Sequence, residues 1–184
     1  MTEHTEVSKL TYHLTIEEAH KQLNLDDDFY DDDTLISQLI EDATQEIENY
    51  IESDIAETSN VLNIYEFYGS EITIKRSPFL SLTSISYLDS NGDSQSITVA
   101  DCTIRKSEQK IFIILPSSVS TETLTVTYKS GYSDRDKVPS SLLRFVLRRV
   151  ADLYDIERGS HIIGTSKSDE NFWNSLAYHK KIYF

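Results

Sequence analysis

The spacing of apolar residues changes twice along this 184-residue chain, and that change constrains the fold more than any other feature. Residues 15–24 and 33–55 have the three- and four-residue spacing of amphipathic helices. Residues 61–130 contain short alternating segments typical of strands, and residues 139–158 return to the helical spacing. We therefore expect an α+β fold, with N- and C-terminal helices packed as a small bundle and an antiparallel β-strand-rich region inserted between them.

The same pattern predicts the organisation of the chain. A flexible N-terminal arm is expected at residues 1–13, and one domain at residues 14–158. A loop and an aromatic C-terminal tail are expected at residues 159–184. No apolar stretch approaches the roughly 20 residues that would span a bilayer, so no membrane partner is expected.

Helix boundaries are indicated by local chemistry. Thr15 and Glu18 have the spacing of a capping box, in which each side chain bonds the other residue's backbone amide. Asp32 or Asp33 is expected to cap the second helix, where a carboxylate also suits the positive end of the helix dipole. Pro139 fixes a φ angle suited to the first turn of the last helix.

Turn residues divide the strand-rich region. Gly69 predicts a turn, and Asn91-Gly92 supplies the positive φ angles of a tight hairpin. The expected strands are residues 61–67, 71–75, 82–88, 94–99, 102–106, 110–115 and 123–128.

Charge is unevenly distributed along the chain, whose net charge is −14. Residues 1–60 hold 17 Asp and Glu against Lys9 and Lys21, which makes −15, whereas residues 135–184 carry +3. An acidic front half argues against tight nucleic-acid binding, because phosphates require counter-charge. The asymmetry fits attraction between opposite ends of one subunit or of neighbouring subunits, and the alternative is that acidity serves solubility.

Candidate catalytic and metal sites are weak. The acidic cluster Asp26–Asp33 lacks the alternating spacing and glycine of a calcium loop, so a solvated helix cap explains it better. The five histidines lack the spacing of a zinc-binding helix, and Cys102 has no cysteine partner. Cys102 is expected in a strand as a small core residue. We expect no catalytic residue, no metal, no cofactor and no enzymatic activity.

Two surfaces are candidates for protein contacts. The aromatic tail either folds back on the core or docks into another chain, because apolar groups are costly to leave in water. Three arginines on the last helix bind phosphate, form a solvated face, or meet the acidic face of helix 33–55 in the same subunit or the next. The tail residues are Phe172, Trp173, Leu176, Tyr178, Ile182, Tyr183 and Phe184, and the charged set is Arg144, Arg148, Arg149, Glu41, Glu48 and Glu52.

Three segments together carry a resemblance to a known family. They are Leu14-Thr15-Ile16-Glu17-Glu18-Ala19 with the helix that follows, Arg76-Ser77-Pro78-Phe79-Leu80-Ser81-Leu82, and Tyr128-Lys129-Ser130-Gly131-Tyr132 followed by Val138-Pro139. In this order, over roughly residues 14–158, the chain resembles phage head–tail connector proteins, also called head-completion or adaptor proteins.

The resemblance implies a structural role in the virion neck. It implies a homo-oligomeric ring, usually of twelve copies, between the portal protein and a downstream neck or tail protein. The ring would extend the DNA channel without binding DNA specifically, and the C-terminal segment would dock onto the portal. The protein would be present in the host cytoplasm during assembly. The alternative function, motivated by the charge of residues 1–60, is an acidic binding module that mimics DNA and sequesters a basic partner.

Overall fold

The computed structural model describes residues 2–26, 28–75, 77–89, 91–107, 110–157 and 167–180. The described chain forms two compact units. The sheet unit consists of residues 2–11 and Ala56–Ser133, and the helical unit consists of Tyr12–Ile55 together with the described residues from Asp134 onward. Each unit is therefore built from two separate stretches of sequence.

Six strands and four helices of the described residues make up these units. The strands are β1 (Thr2–Thr11), β2 (Glu57–Ile74), β3 (Phe79–Leu88), β4 (Ser94–Ile97), β5 (Thr103–Lys106) and β6 (Ile111–Ser130). The helices are α1 (Ile16–Leu23), α2 (Asp33–Ile51), α3 (Ser140–Glu157) and α4 (Lys167–Leu176). Among the described helices, none is long and apolar enough to span a bilayer.

The sheet is antiparallel, and its central strand is β6. The strand order is β1-β2-β6-β3-β4, with β5 paired to β6 as well. Strand β6 runs beside β2 from the pair Thr58↔Ser130 to the pair Ile74↔Ile111. Its other edge is shared, because β5 pairs with its first part and β3 with its second part.

A bulge divides the long β2–β6 ladder. Gly69 pairs with Val119, but Glu71 already pairs with Ile114, so one residue of β2 opposes four residues of β6. A bulge bends the strand that contains it. Apolar side chains from both sides of the bulge consequently reach one core cluster, which includes Leu62, Phe67, Ile72, Ile74, Ile85, Ile111, Ile113, Leu124, Val126 and Tyr128.

Gly131 ends the sheet at a position where only glycine fits. Its φ angle is 93°, and its backbone N–H donates to the carbonyl of Pro78 at 2.8 Å. A Cβ atom at this position would lie 1.9 Å from the carbonyl oxygen of Ala56. Glycine therefore permits both the left-handed turn and the close approach of two backbones.

The helical unit confirms the predicted start of α1. The Thr15 hydroxyl accepts from the Glu18 amide at 3.3 Å, and Glu18 Oε2 accepts from the Thr15 amide at 3.2 Å. Asn24 ends α1 in the left-handed region with φ 54°. Asp32 precedes α2 but makes no side-chain cap hydrogen bond. Its carboxylate accepts instead from the Tyr154 hydroxyl at 2.5 Å.

Helices α2 and α3 bury the apolar stripes that the sequence predicts. They pack against each other within the helical unit. Side chains on these stripes have at most 9% of their surface exposed, and they include Ile36, Leu39, Ile40, Ala43, Ile47 and Ile51 of α2 and Leu142, Leu143, Val146 and Val150 of α3.

The predicted fold class is wrong. The structure is a mixed fold dominated by one large antiparallel sheet, not a terminal helix bundle with an inserted strand-rich region. Residues expected as a flexible arm form β1, which pairs with β2 and precedes the first helix. The sheet therefore includes the N-terminal end of the described chain.

Two local predictions in the strand region also differ from the structure. Gly69 does not end a strand, because β2 continues through it with the bulge described above. Cys102 lies just before β5, after a short 3₁₀ turn, and its thiol is partly exposed. A hairpin does join β3 and β4 at Asn91-Gly92, but of this pair only Gly92 has a positive φ angle, and its amide donates to the carbonyl of Asp89 at 3.0 Å.

Candidate functional site

The described part of the aromatic tail folds back within the helical unit. Phe172 is 2% exposed and Leu176 is fully buried. The Phe172 ring meets Phe145 of α3 edge to face at 5.4 Å between centroids. Trp173 lies 4.8 Å from the Tyr50 ring, and its carbonyl accepts from the Tyr50 hydroxyl at 2.9 Å. Three residues predicted to dock on a portal thus contribute to the subunit's own packing.

One described tail residue points into solvent. Tyr178 is 90% exposed, the largest exposure among the described large apolar side chains. Its neighbours are anchored, because His179 Nε2 lies 3.2 Å from the Ser141 hydroxyl and Lys180 Nζ lies 3.2 Å from Glu52 Oε1. Tyr178 is therefore presented from a fixed backbone. Ile182, Tyr183 and Phe184 lie outside the described residues.

Two of the three candidate arginines make contacts inside the subunit. Arg149 forms a bidentate pair with Glu46, with Nε–Oε2 at 2.7 Å and Nη2–Oε1 at 2.9 Å. Arg148 lies over the Phe172 ring at 5.3 Å from its centroid. Only Arg149 thus meets the acidic helix of the same chain, whereas Arg148 contacts an aromatic ring of the tail. Arg144 of α3 and Glu41 of α2 are exposed.

Glu48 is fully buried, although the sequence analysis placed it on the acidic outer face of α2. Its Oε1 accepts from the backbone amide of Ile55 at 2.6 Å. A buried carboxylate is costly unless it is hydrogen-bonded. Helical spacing places Glu48 on the buried face of α2, because it lies four residues after Thr44 and eight after Ile40, both of which are buried.

Further polar contacts involve the acidic N-terminal stretch of the helical unit. Arg135 donates to the carbonyl of His13 at 3.1 Å and forms a bidentate pair with Glu18. His20 Nε2 lies 2.8 Å from Asp33 Oδ1. Sequence reasoning missed these contacts because their partners lie up to about 120 positions apart.

The described residues of the Asp-rich segment do not form a metal-binding cluster. Within the described ranges, no three His, Cys, Asp or Glu side chains converge in a way that could hold an ion. The carboxylates exposed on the helical unit include Glu17, Asp26, Asp28, Asp31, Glu41 and Asp42. The Thr15 side chain bonds to the Glu17 carboxylate and, with further hydrogen bonds, lowers its pKa.

The sheet unit has an open concavity of about 430 Å³ beside the β3–β4 turn. Tyr68 stands at its rim with 75% of its surface exposed, and Leu88 is 50% exposed. The remaining lining residues are Asp89, Gly92, Ser120, Thr121 and Glu122. An exposed ring beside carboxylates suits contact with another protein surface rather than turnover of a small molecule.

The Asp89 carboxylate organises the hairpin beside this concavity. It accepts from Gln95 Nε2 at 2.9 Å and from the amides of Asn91 and Asp93 at 2.9 and 3.0 Å. These hydrogen bonds, with that from Gln95 largest, lower the pKa of Asp89. The β3–β4 turn is thereby held by a charged acceptor.

The N-terminal third of the chain matches a known protein family. The family model described as "Phage gp6-like head-tail connector protein" matches residues 13–77. No curated protein matches the chain in sequence. The predicted resemblance to phage head–tail connector proteins is confirmed by this match.

Solved structures with the same fold extend the comparison along the chain. A chain of "Neck of empty GTA particle computed with C6 symmetry" superposes with a TM-score of 0.78 at 16% identity, covering 99% of this chain and 97% of that chain. "Virion of native gene transfer agent (GTA) particle" gives 0.78 at 14% identity, covering 98% and 96%. "Neck of native GTA particle computed with C12 symmetry" gives 0.72 at 14%, covering 96% of both chains. The fold is therefore that of chains found in these particles.

Proposed function

We propose that this chain is a structural neck protein of a phage-like virion, located between the portal and the tail. Copies form an oligomeric ring that extends the DNA channel and allows the tail to attach. The observation that carries the proposal is the likeness in fold to neck chains, which covers nearly the whole of both chains. The connector-family match over residues 13–77 supports the same role.

Ring formation is supported by the cyclic symmetry of two of the similar structures. Two of them are described with C6 or C12 symmetry, which requires several copies around one axis. A cyclic ring of identical subunits needs two different faces that meet on neighbouring copies. In the helical unit, the exposed Arg144 and Glu41 remain proposed as residues of such faces, whereas Glu48 and Arg149 act inside the subunit.

The charge of the chain fits a channel through which DNA passes. A net charge of −14 and the exposed carboxylates of the helical unit give a surface that repels phosphates. Such a wall does not hold the duplex, so DNA passes without specific binding. The role is structural and requires no reaction.

Portal docking is proposed to depend on Tyr178 and the residues after it. An exposed tyrosine on an anchored backbone has the apolar ring and polar hydroxyl that are enriched at protein interfaces. Phe172 and Leu176 are assigned instead to the stability of the helical unit. The concavity around Tyr68 is proposed as a contact for the tail-side partner.

The test is to image particles and to measure their protein content with and without this chain. We expect several copies at the neck, and tailless heads when the gene is deleted. The Tyr178→Ala variant should fold normally but join the portal poorly, whereas Tyr30→Ala, which also removes an exposed tyrosine of the helical unit, should behave as wild type. Particles that lack the chain would overturn the proposal. Recovery of the chain with a basic host protein and no virion component would favour the acidic binding module.

A further inference from the structure

We propose that the β1 edge of one copy lies against the β5 edge of the next copy, so that neighbouring subunits associate through two different edges of the same sheet. This inference rests on the proposed ring and assigns a surface to its subunit contact. It concerns the sheet unit alone and is argued from the residues of its edge strands.

Strand β1 exposes apolar side chains at its irregular positions. Its register with β2 shifts between Glu6 and Ser8 and again between Lys9 and Thr11. The residues left over by these two shifts are Val7 and Leu10, which are 59% and 47% exposed. Bulges on edge strands commonly redirect side chains. Both bulges of β1 thus release an apolar side chain into solvent.

These bulges are not explained by protection of the edge alone. Proteins block unwanted strand pairing with bulges, charged residues or proline, none of which calls for exposed apolar side chains. The exposed valine and leucine at the bulged positions instead favour association of this edge with another apolar surface. Because β1 is bulged and has apolar residues at its bulges, we expect it to contact a partner through side chains and not through a continuous ladder of backbone hydrogen bonds.

Strand β5 has complementary properties. In the described sheet it pairs with β6 alone, and all four of its residues are exposed. Ile104 is 38% exposed, and the basic residues Arg105 and Lys106 follow it. Glu3 near the start of β1 is exposed and acidic. By sequence β1 carries Glu3, Glu6 and Lys9, a net charge of −1, against +2 on β5, so the apolar contact would join two strands of opposite net charge.

The topology makes the contact capable of closing a ring. Strand β6 pairs with β2 on one side and with β5 on the other, and β1 lies beyond β2. The two edges therefore lie on opposite sides of β6. A contact between β1 of one copy and β1 of another would stop at a dimer, whereas β1 against β5 repeats around an axis.

The remaining edge strand is a weaker partner. Strand β4 consists of Ser94-Gln95-Ser96-Ile97 and carries no charge. Ile97 packs partly against the core of the sheet unit, so its apolar surface is already in use. Neither charge nor exposed apolar surface on β4 complements β1.

Disulfide trapping tests the contact in assembled particles. Val7→Cys and Ile104→Cys would be combined with Cys102→Ser and supplied to particles that lack the native gene. Within one chain Val7 lies beside Asn60, which pairs with Tyr128 of β6, whereas Ile104 pairs with Ile113. Tyr128 and Ile113 are 15 positions apart along β6, so the two cysteines of one chain lie beyond the reach of a disulfide. On mild oxidation we expect a ladder of multiples of the subunit mass. The control variant combines Val7→Cys with Gln95→Cys and should give less than a tenth of that cross-linking.

A second variant tests the same edge without new cysteines. Val7→Asp with Leu10→Asp changes two exposed side chains, so the isolated subunit should keep its circular dichroism spectrum. We expect at least a tenfold loss of incorporation into particles, against no loss for Thr5→Asp on the regular part of β1. Normal incorporation of the double variant would overturn the inference.

The outcomes separate the inference from the proposed function. Particles that contain the chain but give no ladder, or give it with the Gln95 control, would overturn the β1–β5 contact and leave the neck role intact. Particles made with the unsubstituted protein that lack this chain altogether would overturn the neck role itself.

Discussion

Glu48 Oε1 accepts a hydrogen bond from the backbone amide of Ile55 at 2.6 Å, and the Glu48 side chain is fully buried. The bond spans the end of α2, where Glu52 adopts φ 56° and turns the chain out of the helix. A glutamate that sequence patterning assigns to a charged surface thus fixes the exit of a helix.

Replacement of Glu48 should reveal this role in stability. Glu48→Ala leaves the buried Ile55 amide without its acceptor, and we expect a loss of about 1–3 kcal/mol in the free energy of unfolding. Glu48→Gln keeps an oxygen acceptor and should lose less. Chemical denaturation measures both, and Glu41→Ala on the exposed face of the same helix should stay within about 0.5 kcal/mol of wild type. Equal stability of the Glu48→Ala and Glu41→Ala variants would contradict the assignment.

The aromatic tail should behave as part of the core. Phe172→Ala removes a ring that is 2% exposed, and we expect it to lower the free energy of unfolding by about 3–5 kcal/mol. Tyr178→Ala removes a ring that is 90% exposed and should change it by less than about 0.5 kcal/mol. Thermal unfolding followed by circular dichroism distinguishes the two. A Phe172→Ala variant as stable as wild type would mean that the tail does not pack as described.

Gly131 and Gly92 form a matched pair for a test of backbone crowding. Both have positive φ angles, 93° and 84°, but a Cβ at Gly92 meets nothing within 4 Å. Gly92→Ala should cost about 1–2 kcal/mol from the left-handed conformation alone. Gly131→Ala adds a clash with the Ala56 carbonyl and should cost substantially more, or prevent folding. Similar unfolding midpoints for the two variants would show that the close approach relaxes easily.

Asp89 should make the hairpin sensitive to acid. Its hydrogen bonds hold its pKa below the usual value, so the stability it contributes is fully present above the unfolded pKa of about 4. That contribution is lost as the pH falls through the lower folded pKa. Wild type should exceed Asp89→Asn in stability at neutral pH, and the difference should shrink on acidification, as followed by denaturation at several pH values. A difference that does not change with pH would exclude the carboxylate's charge as the cause.

The starts of α1 and α3 followed from sequence because their causes are local, whereas α2 ends at Ile51 rather than at residue 55 and its expected cap residue Asp32 makes no side-chain cap hydrogen bond. The capping box of Thr15 and Glu18 and the start of α3 after Pro139 depend on residues within one turn. The spacing of Ile36, Ile40 and Ile47 likewise identifies the buried face of α2.

The sheet was harder to predict because its pairings are distant and irregular. Strand β1 is exposed on most of its length, and its bulges at Val7 and Leu10 interrupt the alternation that marks a strand. Its partner begins at Glu57, about 50 residues away. Gly69 suggested a turn because a bulge and a turn use the same residue type.

The packing of the candidate contact residues could not be predicted from the sequence. Phe172, Trp173, Leu176 and Tyr178 are all apolar and lie close together in sequence. Which of them are buried depends on how α4 packs, and their sequence alone does not determine that packing. Ion pairs such as Arg149–Glu46 join residues about 100 positions apart, so composition indicates that pairing is available without indicating which partners meet.

Each unit contains an early and a late stretch of the chain, and this order limits when the units can fold during synthesis. The first strand and the first two helices emerge long before β6 and α3, which complete their respective units. Neither unit can close until residues beyond about 130 have left the ribosome. During synthesis both units therefore remain incomplete at the same time. A nascent fragment that stops inside β6 would expose two incomplete cores to the quality-control machinery of the cell.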